Sequence, residues 1–407
     1  AFVLDALKNG ASAVLINKNQ FKNFQDLNCT IITVPNTIIA YGELAKTFRE
    51  KFSGQVISIT GSNGKTTTKE ILSTILSEKF NIVKTNANDN NHIGIPKTIF
   101  SINKKTDKLI LEHGTNHFGE IEYTSNIASP NLSLITNIGD SHLEYLKNRD
   151  GVYKEKSSLI NHTLNKGGII FINTDDKILK SETKKIKNIM TFGFNGKPNF
   201  KGKIEGYTKE GNTILSIEYS GKHIKLTIPL YGLSNAKNVL AATSIALYLG
   251  VSQRQIKNAI KNLRQVKGRL FLERFNNLIL VDDTYNSNPT SVEAAIELLK
   301  RINTYKVKTL IIGDMFELGD DSEKMHSDLS KIIVKNKINN VFIIGKLMKN
   351  LQTELDGKNI NSIYFKSRKE LHKFIEQYNF DGQVVLVKGS RGMRMEDFVN
   401  QIREIAK

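Results

Sequence analysis

Short apolar runs alternate with segments of helical periodicity along this chain of 407 residues. The runs at residues 56–59, 109–111, 132–135 and 169–172 have the length of buried strands and are too short for core helices. Residues 71–76, which follow the first run, instead repeat apolar side chains at helical spacing. Strands that alternate with helices predict an α/β protein with a mainly parallel sheet and helices on both faces.

The pattern divides the chain into three predicted domains. Residues 1–50 contain two helices and two short strands, and we expect a truncated small N-terminal α/β domain there, because the segment is too short for a complete one. Residues 51–267 predict a central, P-loop-type nucleotide-binding domain with a mainly parallel sheet. Residues 268–407 begin a fresh alternation and predict a Rossmann-like, doubly wound C-terminal domain.

The central domain also has a small antiparallel part near residues 203–228. Its three short strands are separated by Glu210-Gly211-Asn212 and by Ser220-Gly221-Lys222, which are typical of hairpin turns. A helix is predicted after them at about residues 235–249, with Gly250 as its C-terminal stop.

The residues Gly61-Ser62-Asn63-Gly64-Lys65-Thr66-Thr67 lie between a predicted strand and a predicted helix. Glycine lets backbone N–H groups approach phosphate oxygens, and the start of a helix adds partial positive charge. Lys65 would reach the β- and γ-phosphates of a nucleotide, and the Thr66 hydroxyl would ligate Mg²⁺. The general phosphate-loop pattern has glycine five residues before Gly64, where this chain has Ile59, but strand, loop and helix stand in the required order.

Polar side chains after two other strands predict further parts of the same site. Glu112 follows the strand at 109–111, and a carboxylate there is a natural Mg²⁺ ligand. His142 lies in the loop after the strand at 132–135 and could bind a metal or a phosphate, although a single histidine is more often structural. Lys156 either turns toward that loop or belongs to a solvated basic helix face.

The C-terminal segment adds charged residues at its strand ends and at its junction with the central segment. Asp282 and Asp283 follow the strand at 278–281 and suit ribose hydroxyls or a cation. Arg269 lies at the junction, from which it could reach across and clamp a transferring phosphate.

The net charge and the cysteine content predict the kind of partner that the protein binds and the cellular compartment in which it works. The formal net charge of +18 predicts an anionic partner, and the even spread of lysines favours an anionic small substrate over nucleic acid. The single cysteine, Cys29, excludes an internal disulfide framework and suits a reducing cytoplasm. No apolar run is long enough to span a bilayer, and the N-terminal residues lack the pattern of a secretion signal.

Several blocks of residues together resemble the Mur ligase family, and most closely its MurF branch. The blocks are ITGSNGKTT at 59–67, NNHIGIP at 90–96, GDSHLE at 139–144, DDTYNSNP at 282–289, and the pair GDMFELG at 313–319 and VKGSRGMR at 387–394. The phosphate loop alone would indicate only the superfamily, whereas the DDTYN and GDMFELG blocks point to the MurF branch.

The resemblance implies roles at the matching positions of the phosphate and metal region. The loop residues Gly61 to Thr67 would hold ATP, with Lys65 on the phosphates and Thr66 on a first Mg²⁺. Glu112 and His142 would serve a second Mg²⁺. Lys156 stands where many members carry a carbamylated lysine that bridges to the metal, so Lys65, His142, Lys156 and Arg269 are the expected catalytic residues.

The resemblance also implies residues for the nucleoside and the two other substrates. The expected nucleotide-binding residues are Asn235, Asn238, Arg269, Asp283 and Asn286, although Ser234 replaces a common histidine beside the base. Asn90 and Asn91 lie in the loop that approaches the sugar-peptide substrate. Lys388 and Arg391 are candidates for gripping the incoming dipeptide, and a helix-start or salt-bridge role suits them about as well.

The activity implied by the resemblance is an ATP-dependent and Mg²⁺-dependent amide ligation in the cytoplasm. It would join D-alanyl-D-alanine to UDP-N-acetylmuramoyl-tripeptide through an acyl phosphate, in a monomer that binds no nucleic acid and does not span a membrane. The family's first domain begins upstream of Ala1, so we expect the natural chain to be longer.

Three alternatives stay open at the level of the sequence. The chain could be a Mur-type ligase for a different amino acid, such as glutamate or a diamino acid. It could be a nucleotide-dependent binding or regulatory protein without ligase activity. It could also be a basic nucleic-acid-binding ATPase, which would show DNA- or RNA-stimulated hydrolysis and steep salt dependence.

Overall fold

The computed structural model describes residues 2–184, 186–208 and 211–407. Within these residues the strands form three sheets of two, nine and six strands, which follow one another along the chain. The α/β class predicted from the alternation of strands and helices is confirmed. Glu210, which the sequence placed in a hairpin turn, lies outside the described residues.

The N-terminal sheet is a single parallel pair of strands. Its elements are α1 (Val3–Lys8), β1 (Ala13–Asn17), a 3₁₀ turn (Lys18–Asn23), β2 (Thr30–Val34) and α2 (Thr37–Glu50). Asn36 caps α2, because its side-chain oxygen accepts the N–H groups of Ile38 and Ile39. The helix ends at Glu50.

The central part contains nine strands and the helices that connect them. Its strands are β3 (Gln55–Thr60), β4 (Ile82–Lys84), β5 (Lys108–Glu112), β6 (Leu132–Ile135), β7 (Ile169–Asn173), β8 (Ile189–Gly193), β9 (Phe200–Tyr207), β10 (Thr213–Tyr219) and β11 (Lys222–Ile228). Its helices are α3 (Lys65–Leu76), α4 (Gly94–Phe100), α5 (Glu120–Ala128), α6 (Leu143–Leu146), α7 (Arg149–Asn165), α8 (Lys177–Glu182), α9 (Gly232–Tyr248) and α10 (Gln253–Lys261).

The order of the central strands is β11-β10-β9-β8-β7-β6-β3-β5-β4. The pairs from β4 to β9 are parallel, and β9, β10 and β11 are antiparallel, as the sequence predicted. Ser220 and Gly221 both have positive φ between β10 and β11, which suits a tight hairpin turn. The sequence analysis missed β4 and β8, and it began α9 three residues too late.

The position of β3 in the middle of this sheet determines where the polar loops meet. β3 pairs with β5 on one side and with β6 on the other, all in parallel. Ile59 stands opposite Glu112, and Thr60 stands opposite Ile135. The loops after these three strands therefore leave the same edge of the sheet side by side. Helices α3 and α9 pack together over the core beneath that edge.

The C-terminal part forms a mixed sheet with helices on both faces. Its strands are β12 (Phe271–Arg274), β13 (Leu278–Asp283), β14 (Val307–Gly313), β15 (Asn340–Ile344), β16 (Asn361–Phe365) and β17 (Gln383–Lys388). Its helices are α11 (Pro289–Arg301), α12 (Ser322–Lys335), α13 (Lys349–Leu355), α14 (Arg368–Gln377) and α15 (Glu396–Ile405), with short 3₁₀ turns at Gly319–Asp321 and Arg391–Met393.

The C-terminal strand order is β12-β13-β17-β14-β15-β16. Five of these strands are parallel, and β12, which the sequence analysis missed, adds an antiparallel edge. Separate apolar clusters fill the two faces of the sheet, as expected for a doubly wound arrangement. The carboxyl ends of β13 and β17 carry Asp283 and Lys388 toward the central part.

Candidate active site

The loop between β3 and α3 has the backbone geometry that its glycines predict. Gly61 has φ +145° and Gly64 has φ +84°, a region that side chains disfavour. A Cβ atom on Gly64 would lie 2.4 Å from Oδ1 of Asn238. Asn137 fastens the loop, because its backbone oxygen accepts the Ser62 N–H and its Oδ1 accepts the Asn63 N–H, each at 3.0 Å. The loop is therefore a rigid cradle at the start of α3.

Lys65 is held over this cradle. Its ammonium donates a hydrogen bond of 2.6 Å to the backbone oxygen of Gly61. Burial lowers the pKa of Lys65 to about 8; nearby Glu112 acts in the opposite direction, and the Arg269 guanidinium lowers the pKa further. An anionic phosphate beside Lys65 would favour its charged form.

Glu112 lies beside the cradle as the last residue of β5, whereas the sequence analysis placed it just after the strand. Its side chain is buried, and its Oε1 accepts hydrogen bonds of 3.0 Å from the Thr66 hydroxyl and from the Asn90 amide. Its other oxygen, Oε2, has no hydrogen-bond partner among the described residues. The ammonium of Lys69, which is fully buried, lies 3.7 Å from Oε2.

The unpartnered oxygen of Glu112 fits a magnesium ligand. A buried carboxylate oxygen without a hydrogen bond is costly, and a bound cation would remove that cost. Within the described residues there is no group of three or more His, Cys, Asp or Glu side chains that could enclose a metal. Mg²⁺ does not need such a cage, since it commonly takes one or two carboxylates, water and substrate phosphates. Glu112 and Thr66 thus have the right chemistry.

His142 follows β6 and has a left-handed backbone, with φ +55°. Its Nδ1 lies 2.5 Å from Oε2 of Glu317, which comes from the C-terminal sheet. Burial lowers the pKa of His142, the hydrogen bond and charge of Glu317 oppose this change, and the cations Lys156 and Lys65 add to it. The imidazole is therefore biased toward its neutral form, which is the form that binds metals.

Lys156 is buried on α7, so the prediction of a solvated basic helix face is wrong for this residue. Burial holds its pKa well below the usual range, the charge of Lys65 lowers it further, and Glu155 opposes both. No hydrogen bond or ion pair of its amine is found within the described part of the chain. Lys156 thus has a lowered pKa and lies close enough to Lys65 and His142 for their charges to interact.

Arg269 reaches the same place from the junction with the C-terminal part. Its Nη2 donates a hydrogen bond of 2.9 Å to the Thr66 hydroxyl. Its guanidinium also lies over the ring of Tyr285, at 4.0 Å from the centroid. The ring fixes the planar group, so the remaining N–H donors of Arg269 are aimed rather than freely rotating.

The polar residues on the C-terminal side are held by one another. Asp283 pairs with Lys388 at 2.6 Å through Oδ2, and its Oδ1 accepts the Leu270 N–H at 3.0 Å. Lys388 also donates to the backbone oxygen of Asn286 at 2.9 Å. The buried ammonium of Lys388 is therefore engaged in the salt-bridge role that the sequence analysis left open. Arg391 is exposed and bonds Glu396 at 3.1 Å.

These groups surround one cavity of about 1030 Å³ between the central and C-terminal parts. The site residues predicted from the sequence that line it are Ser62, Asn63, Gly64, Lys65, Thr66, Thr67, Asn90, Asn91, Glu112, His142, Asn235, Asn238, Arg269, Asp283, Asn286, Lys388 and Arg391. Gly61 and Lys156 are buried and are not among the residues that line it. The oxygen of Asn91 also caps α4, accepting the N–H groups of Ile93 and Gly94 at 3.0 Å.

Sequence reasoning missed three contributors to this cavity region. Lys69 lies one helical turn after Lys65, a spacing that could have suggested a second inward-facing cation. Glu317 belongs to the GDMFELG block, which pointed to the family without suggesting a contact for this residue. The third is Asn288, which exchanges amide hydrogen bonds of 3.0 and 3.4 Å with Asn63 across the cavity. No local sequence pattern predicts this pair.

Comparison with known proteins places this geometry in a family. Residues 59–246 match the model for the Mur ligase middle domain, and residues 268–391 match that for the Mur ligase, glutamate ligase domain. The chain is 34% identical to the UDP-N-acetylmuramoyl-tripeptide–D-alanyl-D-alanine ligase of Haemophilus influenzae, over 99% of this chain and 87% of that protein. The enzyme of the same name from Bacillus subtilis is 32% identical, with the same coverage.

Solved structures give the same picture. A crystal structure of MurF from Acinetobacter baumannii superposes with a TM-score of 0.88 at 31% identity, covering 99% of this chain and 87% of that one. MurF from Thermotoga maritima in complex with ADP gives a TM-score of 0.85 at 28% identity, covering 99% and 91%. Among the described residues, no helix combines the length and apolar character needed to cross a bilayer.

Proposed function

The chain belongs to the Mur ligase family, and from this membership and the site geometry we propose that it is a MurF-type, ATP-dependent ligase. It joins D-alanyl-D-alanine to UDP-N-acetylmuramoyl-tripeptide in the synthesis of the peptidoglycan precursor. The observation that carries the proposal is the convergence on Thr66. Glu112 accepts a hydrogen bond from the Thr66 hydroxyl on one side, and Arg269 donates a hydrogen bond to the same oxygen from the C-terminal side.

The phosphates of ATP bind over residues 61–67. The backbone N–H groups at the start of α3 and the Lys65 ammonium face the phosphate oxygens, and Arg269 adds a cation from the opposite wall. Asp283 and Asn286 suit the ribose, and Asn235 and Asn238 suit the base at the start of α9. This assignment fits the lining of one continuous cavity by residues from both parts of the chain.

Thr66 would ligate a first Mg²⁺, and Glu112 and His142 would serve a second. When bound, these ions would neutralise charge on the phosphate oxygens and polarise the phosphorus for attack. The unpartnered Oε2 of Glu112 supports this assignment, since the buried carboxylate is incompletely satisfied by protein groups.

The reaction needs two anionic substrates to meet, and the cations of the site make that possible. The terminal carboxylate of the tripeptide attacks the γ-phosphorus of ATP, which forms an acyl phosphate and releases ADP. The amine of D-alanyl-D-alanine then attacks the acyl carbon, loses a proton and expels phosphate. Lys65 and Arg269 stabilise the charge that builds on the transferring group. Asn90, which bonds Glu112, lies where the carboxylate approaches.

Lys156 is carbamylated in the active protein. The unprotonated form of its amine, which burial favours, attacks CO₂; the new N–C bond leaves a carbamate and one released proton, which places a negative charge beside Lys65 and His142. The buried, unpaired amine supports this assignment, because a protonated lysine would be poorly stabilised there. Labelling with ¹³C-bicarbonate should give a carbamate resonance in the wild-type protein that is absent in Lys156→Met. A wild-type spectrum without this resonance would contradict carbamylation of Lys156.

Each of the three parts of the chain binds a different substrate. Residues 1–50 contribute to the site for the uridine diphosphate sugar, residues 51–267 bind ATP, and residues 268–407 close over ATP and present the dipeptide. Lys388 and Arg391 lie on the wall where the dipeptide enters. The protein acts as a monomer in the cytoplasm, without nucleic acid.

The test is an assay of ADP release with purified protein, MgATP, muramoyl peptides and a panel of amines. ADP release over many turnovers should require both UDP-N-acetylmuramoyl-tripeptide and D-alanyl-D-alanine, whereas the tripeptide alone should give at most about one ADP per protein. Lys65→Ala should abolish release, whereas Lys166→Ala, which removes an exposed lysine at the end of α7, should not. Continued release with glutamate or a diamino acid instead would make the chain a different Mur-type ligase, and continued release at the full rate without any amine would refute ligation.

A further inference from the structure

Glu317 meets His142 across the boundary between the central and C-terminal parts. The Nδ1 atom of His142 lies 2.5 Å from Oε2 of Glu317, although the two residues are 175 positions apart in the chain. Within the described residues, Glu317 supplies the only hydrogen bond to this imidazole ring. The orientation of His142 therefore depends on a group from the other side of the cavity.

Backbone contacts around the pair also hold the two loops together. The Glu144 N–H donates to the backbone oxygen of Glu317 at 3.1 Å, so the two loops are joined by a second bond of a different kind. Gly319 lies against Glu144, where a Cβ atom would come within 3.2 Å of the Glu144 Cα. A side chain at Gly319 would hinder this approach.

Both partners have a backbone conformation that non-glycine residues rarely adopt. His142 has φ +55° and Glu317 has φ +61°. Such a conformation is unfavourable for both residues and persists only where surrounding contacts enforce it. In both loops the unusual φ falls at the residue whose side chain makes the contact.

We propose that Glu317 is a positioning residue for His142: it fixes the tautomer and the ring orientation that a metal ligand needs, and it does so only when the C-terminal part is docked. This inference rests on the proposed function, in which His142 serves Mg²⁺. It adds a residue outside the ligand set and links the readiness of the metal site to closure of the cavity.

The chemistry of the pair supports a defined tautomer. A carboxylate only accepts hydrogen bonds, so Nδ1 of His142 must carry the donated proton. The lone pair of a neutral ring is then on Nε2, the nitrogen that Glu317 does not use. Carboxylate partners fix metal-binding histidines in this way elsewhere, and their loss typically lowers metal affinity or activity about 10- to 100-fold.

The test compares three variants, two at Glu317 and one at Asp320, three residues further along the chain. Glu317→Asn shortens the side chain beyond the reach of His142, and asparagine tolerates a left-handed backbone better than alanine does. Asp320→Asn is the matched control, because this substitution removes the same negative charge from an exposed side chain three residues away. Glu317→Gln keeps an oxygen acceptor of the original length and serves as the conservative variant.

The first readout is the ¹⁵N spectrum of histidine-labelled protein without metal or substrates, with the His142 signals identified by their loss in His142→Gln. Wild type, Asp320→Asn and Glu317→Gln should show protonated Nδ1 and unprotonated Nε2. Glu317→Asn should lose that pattern and shift toward the Nε2-protonated form. Unchanged His142 signals in Glu317→Asn would overturn the proposal, and so would the same change in Asp320→Asn.

The second readout is the Mg²⁺ concentration that gives half-maximal ADP release. Glu317→Asn should raise it at least about 10-fold, while Asp320→Asn leaves it unchanged. A residue that only helped the two parts to dock would raise KM for ATP and leave the Mg²⁺ requirement alone, and that result would contradict positioning. The spectrum needs no turnover, so a wild-type protein without ligase activity would refute the proposed function and still leave this test standing.

Discussion

Replacing Glu112 with glutamine separates the metal-binding role of this residue from its structural role. Glutamine has the same shape, and its carbonyl oxygen can still accept the hydrogen bonds of Thr66 and Asn90 that Oε1 receives at 3.0 Å. The substitution removes only the negative charge, together with the oxygen that has no hydrogen-bond partner. Nucleotide binding without Mg²⁺ should therefore change little, and binding with Mg²⁺ should weaken strongly.

The expected size follows from electrostatics and linkage. One carboxylate about 4 Å from a unit charge contributes about 4 kcal/mol at an effective dielectric constant near 20, so a 100-fold loss of affinity, about 2.7 kcal/mol, is a modest expectation. A Mg²⁺–ATP analogue at about 100 times the wild-type Kd stabilises the protein by about 2.7 kcal/mol. The same concentration would stabilise Glu112→Gln by only about 0.4 kcal/mol.

The assay is thermal unfolding with and without the Mg²⁺–ATP analogue. With an unfolding entropy of about 2.1 cal/mol/K per residue over 407 residues, the difference of about 2.3 kcal/mol corresponds to a ligand-induced shift in Tm that is about 3 °C smaller in Glu112→Gln than in wild type. In excess EDTA the nucleotide-induced shifts of the two proteins should agree. Equal shifts in the presence of Mg²⁺ would refute the reasoning, since Glu112 would then not be a ligand.

Glu112→Gln also removes a carboxylate that neighbours the Lys69 ammonium, and Glu70→Gln is the matched control for this effect. The Lys69 ammonium lies 3.2 Å from Glu70 and 3.7 Å from Glu112, so either substitution removes one carboxylate from this buried cation. Glu70→Gln should lower the Tm of the nucleotide-free protein and keep the full shift with the Mg²⁺–ATP analogue. A reduced shift in Glu70→Gln would mean that Lys69, rather than the metal, accounts for the effect.

Three further predictions follow from the described contacts. Gly64→Ala should weaken ATP-analogue binding at least about 10-fold in calorimetry, because its Cβ would meet Asn238 at 2.4 Å, whereas Gly196→Ala, also at positive φ but with open space around it, should bind normally. Arg269→Lys should lower kcat for ADP release by about 10²- to 10³-fold with a smaller change in KM, because lysine lacks the planar fork; an unchanged kcat would remove Arg269 from the reaction. Burial lowers the pKa of His326 from 6.5, so folding stability should fall as pH drops below 6.5, by up to about 1.4 kcal/mol at pH 5.5, and urea unfolding of His326→Gln should lack this part of the pH dependence.

The sequence predicted most of the architecture because its signals are local. Buried parallel strands appear as short apolar runs, and β6 was found at its full length for this reason. Two of the three missed strands are short or mixed in polarity. β4 has three residues, all partly buried, and β12 is an edge strand with charged residues at two of its four positions.

The candidate site was predictable only where function depends on local backbone geometry. A phosphate-binding loop requires a strand, a glycine turn and the start of a helix in that order. This local order made it possible to predict Gly64, Lys65 and Thr66 as site residues. The contacts of Glu317 with His142 and of Arg269 with Thr66 join residues that are 175 and 203 positions apart. Such pairs depend on how the C-terminal part docks, which no local pattern contains.

The most direct test of the account is to follow an oxygen atom from the tripeptide. UDP-N-acetylmuramoyl-tripeptide labelled with ¹⁸O in its terminal carboxylate is incubated with the protein, MgATP and D-alanyl-D-alanine, and the released phosphate is examined by mass spectrometry. Attack by that carboxylate on ATP bound over Lys65 predicts one carboxylate-derived oxygen in each phosphate, in step with amide formation. Amide product accompanied by phosphate without ¹⁸O would contradict the account.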